Sequence, residues 1–415
     1  MVFVFIILIL ALQPGSAFSS AVQKLKTKLD DYLLNAQKVE TIDGVRVVHN
    51  EKKGKWGEKP KVTPQLVRTI GSVDTDDENL AFYLPSDIAA DSNGNIYILD
   101  SGNHRIQKFD PDGNYVATIG NKGKGPGEFY FPVSIDIDSK GYLYVSDSQN
   151  QRIQVLKSDG TGHKTVPAYK FSAGVVRITD LGNILVGGGG ILNISPGRLE
   201  EKETQENLIK VVNLEGEVLK DFGQPFDFKD FLINRTGNQF HYAIDKEGNV
   251  YLAFDFKNRI EKYSADGKLL WRADRKLNYS TVPPKEKGSI SGSGGMRMVR
   301  MPEMNICSNG IAVDEKGRAW VITLKRQMKK EEEVHTSVRA TISDAERAIS
   351  FSVSGNTENR ETDIFELQVY DPDGTLLCKL PLNHFVDDIR IIKDRLFLLD
   401  KVRGMQYYEY KIIEK

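Results

Sequence analysis

The chain has 415 residues, of which 40% are hydrophobic and 27% charged, and this balance is typical of a soluble globular protein. Its formal net charge of -1 argues against the broad basic surface that nucleic-acid binding requires, so we expect no nucleic-acid partner. The only cysteines, Cys307 and Cys378, are too few for a disulfide-stapled fold or a cysteine-rich zinc site, and we expect two free, buried thiols.

The N-terminus resembles an export signal. Residues 2–12 form an apolar run too short to cross a bilayer, and the small residues Gly15, Ser16 and Ala17 follow it. We predict a signal peptide over residues 1–17 and an exported protein (periplasmic, cell-surface or extracellular) with no stable membrane span after cleavage. No Lys or Arg precedes the run, which leaves an uncleaved anchor or a misassigned start as alternatives.

Residues 18–64 are interpreted as an N-terminal helix and linker. Apolar residues recur three to four apart over residues 21–38, the spacing of one helical face, and a Lys- and Gly-rich stretch follows at 51–61. The small size of several of these apolar residues favours a packing or spacer helix over a membrane-surface role.

An internal repeat dominates the rest of the chain. Residues 97–107 read Tyr-Ile-Leu-Asp-Ser-Gly-Asn-His-Arg-Ile-Gln, and residues 144–154 read Tyr-Val-Ser-Asp-Ser-Gln-Asn-Gln-Arg-Ile-Gln in the same register. A period of this length, built of short strands and Asp-Gly turns, is typical of propeller blades. Six units can be traced over residues 65–415. The last lacks an outer strand, which we expect residues 66–71 to supply, so that the ring closes without an exposed sheet edge.

These motifs resemble the NHL-repeat family, whose Asn-His-Leu triplet corresponds here to Asn103-His104-Arg105 and Asn150-Gln151-Arg152. The resemblance implies an all-β, six-bladed propeller. Some members of the family are lyases that hold zinc through several channel histidines, but here only His241 lies on an inner strand, with His384 near the mouth. We therefore predict no metal, no cofactor and no catalytic residues.

The connections between strands differ in length on the two faces of the predicted disk. The turns from strand a to b and from c to d are short and glycine-containing, so their face should be plain. Loops on a rigid scaffold commonly carry binding sites, and every long connection falls on the opposite, loop-rich face. Alternating apolar residues over 334–342 and 349–353 predict a β-hairpin arm within the longest. The long connections are residues 121–131, 191–207, 224–239, 276–305 and 325–362.

Polar residues on the innermost strands are the candidate ligand-binding groups of the channel. Such a mixed ring of acids and bases can bind a small polar ligand or can pair internally, and internal pairing is the favoured interpretation. Three aspartates at the ends of strands b, Asp100, Asp147 and Asp255, also allow two interpretations. They can form a ring that binds a cation, or each can accept hydrogen bonds from the backbone of its own loop, and the second interpretation is favoured. The channel candidates are Asp87, Ser134, Asp136, Arg177, His241, Asp388 and Arg390.

The leading hypothesis is an exported, monomeric, non-catalytic scaffold that binds a protein, peptide or glycan on its loop-rich face. The alternative is a metal-assisted lyase or hydrolase that uses Asp87, Asp136, Arg177 and His241 in the central channel.

Overall fold

The computed structural model describes residues 37–171, 173–188, 206–286, 288–291, 298–300, 302–342 and 347–415. The predicted signal peptide and almost all of the predicted helix at 21–38 lie outside these ranges. Lys38 already belongs to a strand. Three strands precede the repeats, namely β1 (Lys38–Ile42), β2 (Val45–Asn50) and β3 (Val62–Ile70).

Six antiparallel blades follow, and in the first five the strands a to d run in chain order from the channel outward. Blade one contains β4 (Asp87–Ala90), β5 (Ile96–Asp100), β6 (Arg105–Phe109) and β7 (Tyr115–Ile119). Blade two contains β8 (Ser134–Ile137), β9 (Leu143–Asp147), β10 (Arg152–Leu156) and β11 (Gly162–Pro167). Blade three contains β12 (Val175–Ile178), β13 (Ile184–Gly187), β14 (Ile209–Val212) and β15 (Val218–Phe222).

The second half of the ring repeats this order with longer insertions. Blade four contains β16 (Phe240–Ile244), β17 (Val250–Phe254), β18 (Ile260–Tyr263) and β19 (Leu269–Arg275). Two short strands, β20 (Ser289–Ser291) and β21 (Met298–Arg300), lie in the next connection. Blade five contains β22 (Ser308–Val313), β23 (Ala319–Leu324), β26 (Phe365–Tyr370) and β27 (Leu376–Pro381), and β24 (Val334–Ile342) pairs with β25 (Arg347–Gly355) within it. Blade six contains β28 (Asp388–Ile392), β29 (Arg395–Asp400) and β30 (Gln406–Glu414).

The ring closes as predicted, because β3 is the outer strand of blade six. It pairs antiparallel with β30 from Val62 opposite Glu414 to Ile70 opposite Tyr407. Glu409 on β30, whose side chain is 3% exposed, accepts hydrogen bonds from Arg68 at 2.8 Å and Arg395 at 2.7 Å. The first and last strands of the propeller are therefore joined by backbone pairing and by a buried charged group.

The part of the N-terminal segment that precedes β3 also packs on the ring, which the sequence did not predict. The β1–β2 hairpin extends blade four to six strands, because β2 pairs in parallel with β19. The chain then runs along blade five, where Lys55 donates to the Leu376 carbonyl at 2.8 Å. A Cβ on Gly54 would lie 2.3 Å from the Leu377 oxygen, so only glycine allows this close approach. The predicted linker is thus bound along the ring.

Six clusters of buried apolar residues form the core, one between each pair of neighbouring blades. The cluster between blades six and one includes Ile70, Ile88 and Phe397, and the one between blades five and six includes Trp320 and Phe385. Burial of these faces stabilises the ring at roughly 25 cal/mol per Å² of apolar surface. Both cysteines are free and buried, as predicted, and burial raises the pKa of Cys378 to about 11.

The strand order places the long connections on one face, as predicted, although residues 191–205, 287, 292–297, 301 and 343–346 within them lie outside the described ranges. One α-helix, α1 (Phe231–Gly237), is described, and Asp230 caps it by accepting from the amides of Leu232 and Ile233. The predicted arm is the β24–β25 hairpin, paired from Val334 opposite Gly355 to Ile342 opposite Arg347. Within the described ranges, no helix is long and apolar enough to cross a bilayer.

Candidate functional site

The first layer of the channel is a closed ion-pair network across blades one to three. Asp87 accepts from the Ser134 hydroxyl at 2.6 Å and from Arg177 at 2.8 Å, and Arg177 also donates to the Ser134 oxygen at 3.0 Å. The side chains of Asp87 and Arg177 are 3% and 5% exposed. Burial alone would raise the pKa of Asp87, but the guanidinium groups of Arg177 and Arg390 hold it below its usual value.

A second layer adds blade six to the same network. Arg390 donates to Asp136 at 3.0 Å and to the Ile88 carbonyl at 3.2 Å, and its Nε lies 3.7 Å from Asp87. Asp136 also accepts from the Ile178 amide at 2.8 Å. Five of the seven predicted channel residues therefore form one network of two carboxylates, two guanidinium groups and a hydroxyl. Its internal pairing leaves little capacity for a ligand.

The remaining two candidates, His241 and Asp388, form a separate cluster with Asp255. The His241 Nδ1 lies 3.5 Å from Asp388, and its Nε2 lies 3.6 Å from Asp255. The three side chains are 19% to 28% exposed, so they face the channel more openly than the first network. Although burial opposes the charged imidazole, Asp255 and Asp388 raise the pKa of His241 to about 9. The imidazolium is therefore the form at neutral pH.

Asp255 joins this cluster because it lies one position later in the repeat than the aspartates of blades one and two, and Phe254 stands opposite Arg259 in their place. In blade one, Arg105 donates to Asp100 at 2.8 Å, and in blade two, Arg152 donates to Asp147 at 2.9 Å. In blade four, Arg259 has no aspartate opposite it and pairs with Glu261 instead. The Asp255 Oδ1 atom is buried and, among the described groups, receives no hydrogen bond. Burial, reinforced by the charge of Asp388, raises the pKa of Asp255 to about 6.

Two further residues shape the cluster and have no signal in the sequence. A Cβ on Gly310 would lie 3.0 Å from the Asp388 Oδ1, so the glycine leaves room for that carboxylate. The Tyr407 hydroxyl is buried and has no described hydrogen-bond partner. Burial and the nearby charges of Asp87 and Asp388 raise the pKa of Tyr407 well above its usual value. Tyr407 therefore stays a neutral phenol between the two groups of channel residues.

The structural interpretation of Asp100 and Asp147 agrees with the contacts. Asp100 accepts from the Tyr83 amide at 2.7 Å and from Asn103 at 2.9 Å, and Asp147 repeats these bonds with Tyr130 and Asn150. Each carboxylate is fully buried, and each fixes its own loop, as an Asx-type residue does. The interpretation was wrong only for Asp255, where the one-residue shift in the blade-four motif was the available signal.

The other histidines do not join the channel cluster. His384, expected near the channel mouth, instead lies against strand c of blade six, with its Nε2 at 2.8 Å from the Tyr410 hydroxyl and its ring stacked on Tyr408. The apolar residues around it bury this imidazole and lower its pKa. Across the described residues, no group of three His, Cys, Asp or Glu side chains is arranged to hold a metal ion.

On the loop-rich face, the arm of blade five reaches past blade six to blades one and two. The ring of Phe351 lies 4.6 Å from that of Phe131, and the Tyr83 hydroxyl donates to the Phe351 carbonyl at 3.3 Å. At its base, Arg326 binds both oxygens of Glu332 at 2.6 and 2.7 Å. These contacts join three connections, namely the arm, the β3–β4 connection and the β7–β8 connection, into one continuous surface.

Comparison with known proteins supports the fold. A family model described as a 6-bladed beta-propeller (DUF5128) matches residues 72–176, and no curated protein matches the chain. Among solved structures, a candidate exported protein from Bacteroides fragilis is similar, with a TM-score of 0.52 and 12% identity over 89% of this chain and 99% of that one. A member of the DUF4221 family from Bacteroides vulgatus gives 0.53 and 12% over 86% and 100%.

Virginiamycin B lyase from Staphylococcus aureus is a more distant neighbour, with a TM-score of 0.43 and 11% identity over 85% of this chain and 100% of that one. At sequence identities this low, no activity of these proteins can be inferred for this chain. The blade order, the closing strand and the family match together show that the chain is a six-bladed β-propeller.

Proposed function

We propose that this protein is an exported, non-catalytic propeller of the NHL type that binds a protein, peptide or glycan partner on its loop-rich face. The observation that carries the proposal is the arm, which leaves blade five and packs on Phe131 and Tyr83. An insertion without a function would not need these contacts with the connections of other blades. Loops held on a rigid ring present a preformed surface, which lowers the entropy cost of binding.

Export is supported by the apolar run at residues 2–12 and the small residues after it. The similarity in fold to a candidate exported protein is in line with it. An extracellular or periplasmic location would place the loop-rich face among envelope proteins and surface glycans. The channel network is then a structural element, because its carboxylates and guanidinium groups pair with one another.

The test is an arm replacement that keeps the base intact. Residues 336–353 are replaced by a short Gly-Ser turn, and the protein is used as bait on a glycan array and on solubilised envelope proteins. We expect loss of the partner that the wild-type protein enriches, with little change in thermal melting. A matched control carries Lys246→Ala and Glu247→Ala on the plain face and should bind as the wild type does. Retained binding by the arm replacement would contradict the proposal.

A second candidate function is small-ligand chemistry in the channel, and His241 favours it. Its imidazole lies between Asp255 and Asp388, outside the closed network, with 28% of the side chain exposed. The sequence alternative is a metal-assisted lyase or hydrolase that uses Asp87, Asp136 and Arg177 together with His241. In the structure, the first three side chains pair within the network that also contains Arg390 and Ser134. Elemental analysis of wild type and His241→Ala tests it: stoichiometric metal that disappears in the variant would support the second candidate.

A further inference from the structure

A group of basic side chains lies on two phenylalanine rings beside blade four, on the loop-rich face. Lys257 and Arg259 come from the loop between β17 and β18, and Phe226 and Phe228 from the connection that precedes the blade. The Lys257 Nζ lies 3.0 Å from the centre of the Phe226 ring and 5.5 Å from that of Phe228. The Arg259 guanidinium lies 4.6 Å from the centre of the Phe226 ring, so both cations contact the same ring.

The charges in this group do not balance. Arg259 and Arg272 both pair with Glu261, at 2.6 and 3.3 Å, and Glu261 also accepts from the Tyr263 hydroxyl at 2.6 Å. None of the described carboxylates forms an ion pair with Lys257. One buried carboxylate therefore pairs with two of the three cations, and the Nε atoms of Arg259 and Arg272 are buried without a described hydrogen-bond partner.

The protonation behaviour of the group agrees with an excess of positive charge. Burial and the neighbouring Arg259 lower the pKa of Lys257 to about 8. Burial also lowers the pKa of Arg259, and Glu261 offsets this effect only in part. Partly buried cations are usually paired, so Lys257, which has no ion pair among the described carboxylates and lies beside Arg259, indicates room for a further anion.

The same positions in the two regular blades lack this arrangement. There Arg105 and Arg152 are neutralised by Asp100 and Asp147, and neutral Gln107 and Gln154 stand where blade four has Glu261. The basic group is thus absent from blades one and two, where an aspartate stands opposite the arginine. It is not a general requirement of the repeat.

The geometry points to an oxyanion site at Lys257, Arg259 and Arg272, which binds a carboxylate, sulfate or phosphate group carried by the partner. Phe228 offers an apolar surface for the body that bears the anion. Arginine binds oxyanions through paired N–H donors, and lysine adds a point charge. The inference deepens the proposed recognition on the loop-rich face and rests on it for the source of the anion: an acidic peptide or an anionic glycan.

The test uses the full chain and simple anions as probes. Acylation of individual lysines is followed by mass spectrometry at pH 8 with acetate, inorganic sulfate or inorganic phosphate at constant ionic strength. We expect at least one anion to slow the labelling of Lys257, because a bound anion favours its charged form. Lys108, which lies 5.0 Å from the Tyr97 ring without an arginine cluster, is the internal control and should not respond.

Arg272→Gln should weaken this protection about tenfold or more, since it removes charge-assisted hydrogen bonds. Lys220→Gln, on the outer strand of blade three, is the matched variant that should leave it unchanged. Equal labelling of Lys257 with and without every anion, or equal protection in Arg272→Gln, would overturn the site. The arm replacement should still bind the anion, so failure of the proposed function and failure of this site remain distinguishable.

Discussion

Arg259 pairs with Glu261 at 2.6 Å, whereas the corresponding arginines of blades one and two pair with the aspartate that ends strand b. The aspartate of blade four lies one position later in the repeat, and this shift produces the exchange. It creates two features at once: Asp255 is left to face His241, and Arg259 is moved into a basic group on the loop-rich face. The departure from the repeat is therefore where the distinctive chemistry of the chain lies.

The exchange predicts that the same substitution, Asp to Asn, changes the free energy of unfolding by different amounts in blades two and four. Asp147→Asn should lower the free energy of unfolding by about 3 kcal/mol, because it leaves Arg152 without its buried partner. Asp255→Asn should change it by less than about 1 kcal/mol, because the carboxylate it removes is poorly satisfied. Urea unfolding of both variants measures the difference. A large loss in Asp255→Asn would contradict this account of the shifted aspartate.

The His241 imidazole should titrate well above its usual range. Asp255 and Asp388 raise its pKa to about 9, so its charged form stabilises the fold fully below about pH 6.5, and this contribution is lost as pH rises through 9. Histidine ring NMR shifts give the midpoint directly. Asp388→Asn should lower that midpoint, and His241→Gln should remove the corresponding part of the pH dependence of unfolding. His163→Gln identifies a histidine outside the channel as a reference for resonance assignment.

Gly310→Ala should disturb the channel cluster without introducing charge. The new methyl group would lie 2.9 Å from the Ile389 side chain and 3.0 Å from the Asp388 Oδ1, so the carboxylate must move. We expect a loss of about 1–3 kcal/mol in unfolding free energy and a lower pKa for His241. Ala312→Gly, two residues along the same strand, separates the steric effect from general weakening of β22. An unchanged His241 pKa in Gly310→Ala would show that the glycine does not set the position of Asp388.

Closure of the ring should depend on Glu409. Its buried carboxylate accepts from Arg68 on the first strand of the ring and from Arg395 within blade six. Glu409→Gln should cost about 3 kcal/mol, because two guanidinium groups lose their shared charge partner. Limited proteolysis should then cleave the N-terminal segment sooner than in the wild type. Glu366→Gln, in the less buried pair with Lys379, serves as the comparison and should cost less.

Local patterns in the sequence were sufficient to predict the blades. The Asp-x-x-Gly turns and the repeated Asn-x-Arg segments place strands a to d, and the similarity of residues 66–71 to strand d of blade one predicts the closing strand. The pairing of β2 with β19 could not be predicted, because it joins residues more than 200 positions apart through a short strand with no repeat signature. The division of the channel residues into two groups also required coordinates, since it depends on distances between blades.

The N-terminal segment has a geometric consequence for how the protein can be displayed. Gln37 donates to the Leu376 carbonyl, and the chain from there to Ile70 follows the outer edges of blades four, five and six. Whatever is attached ahead of Gln37 therefore joins the disk at its circumference. A tether introduced at that point would hold the ring edge-on and leave both openings of the channel accessible.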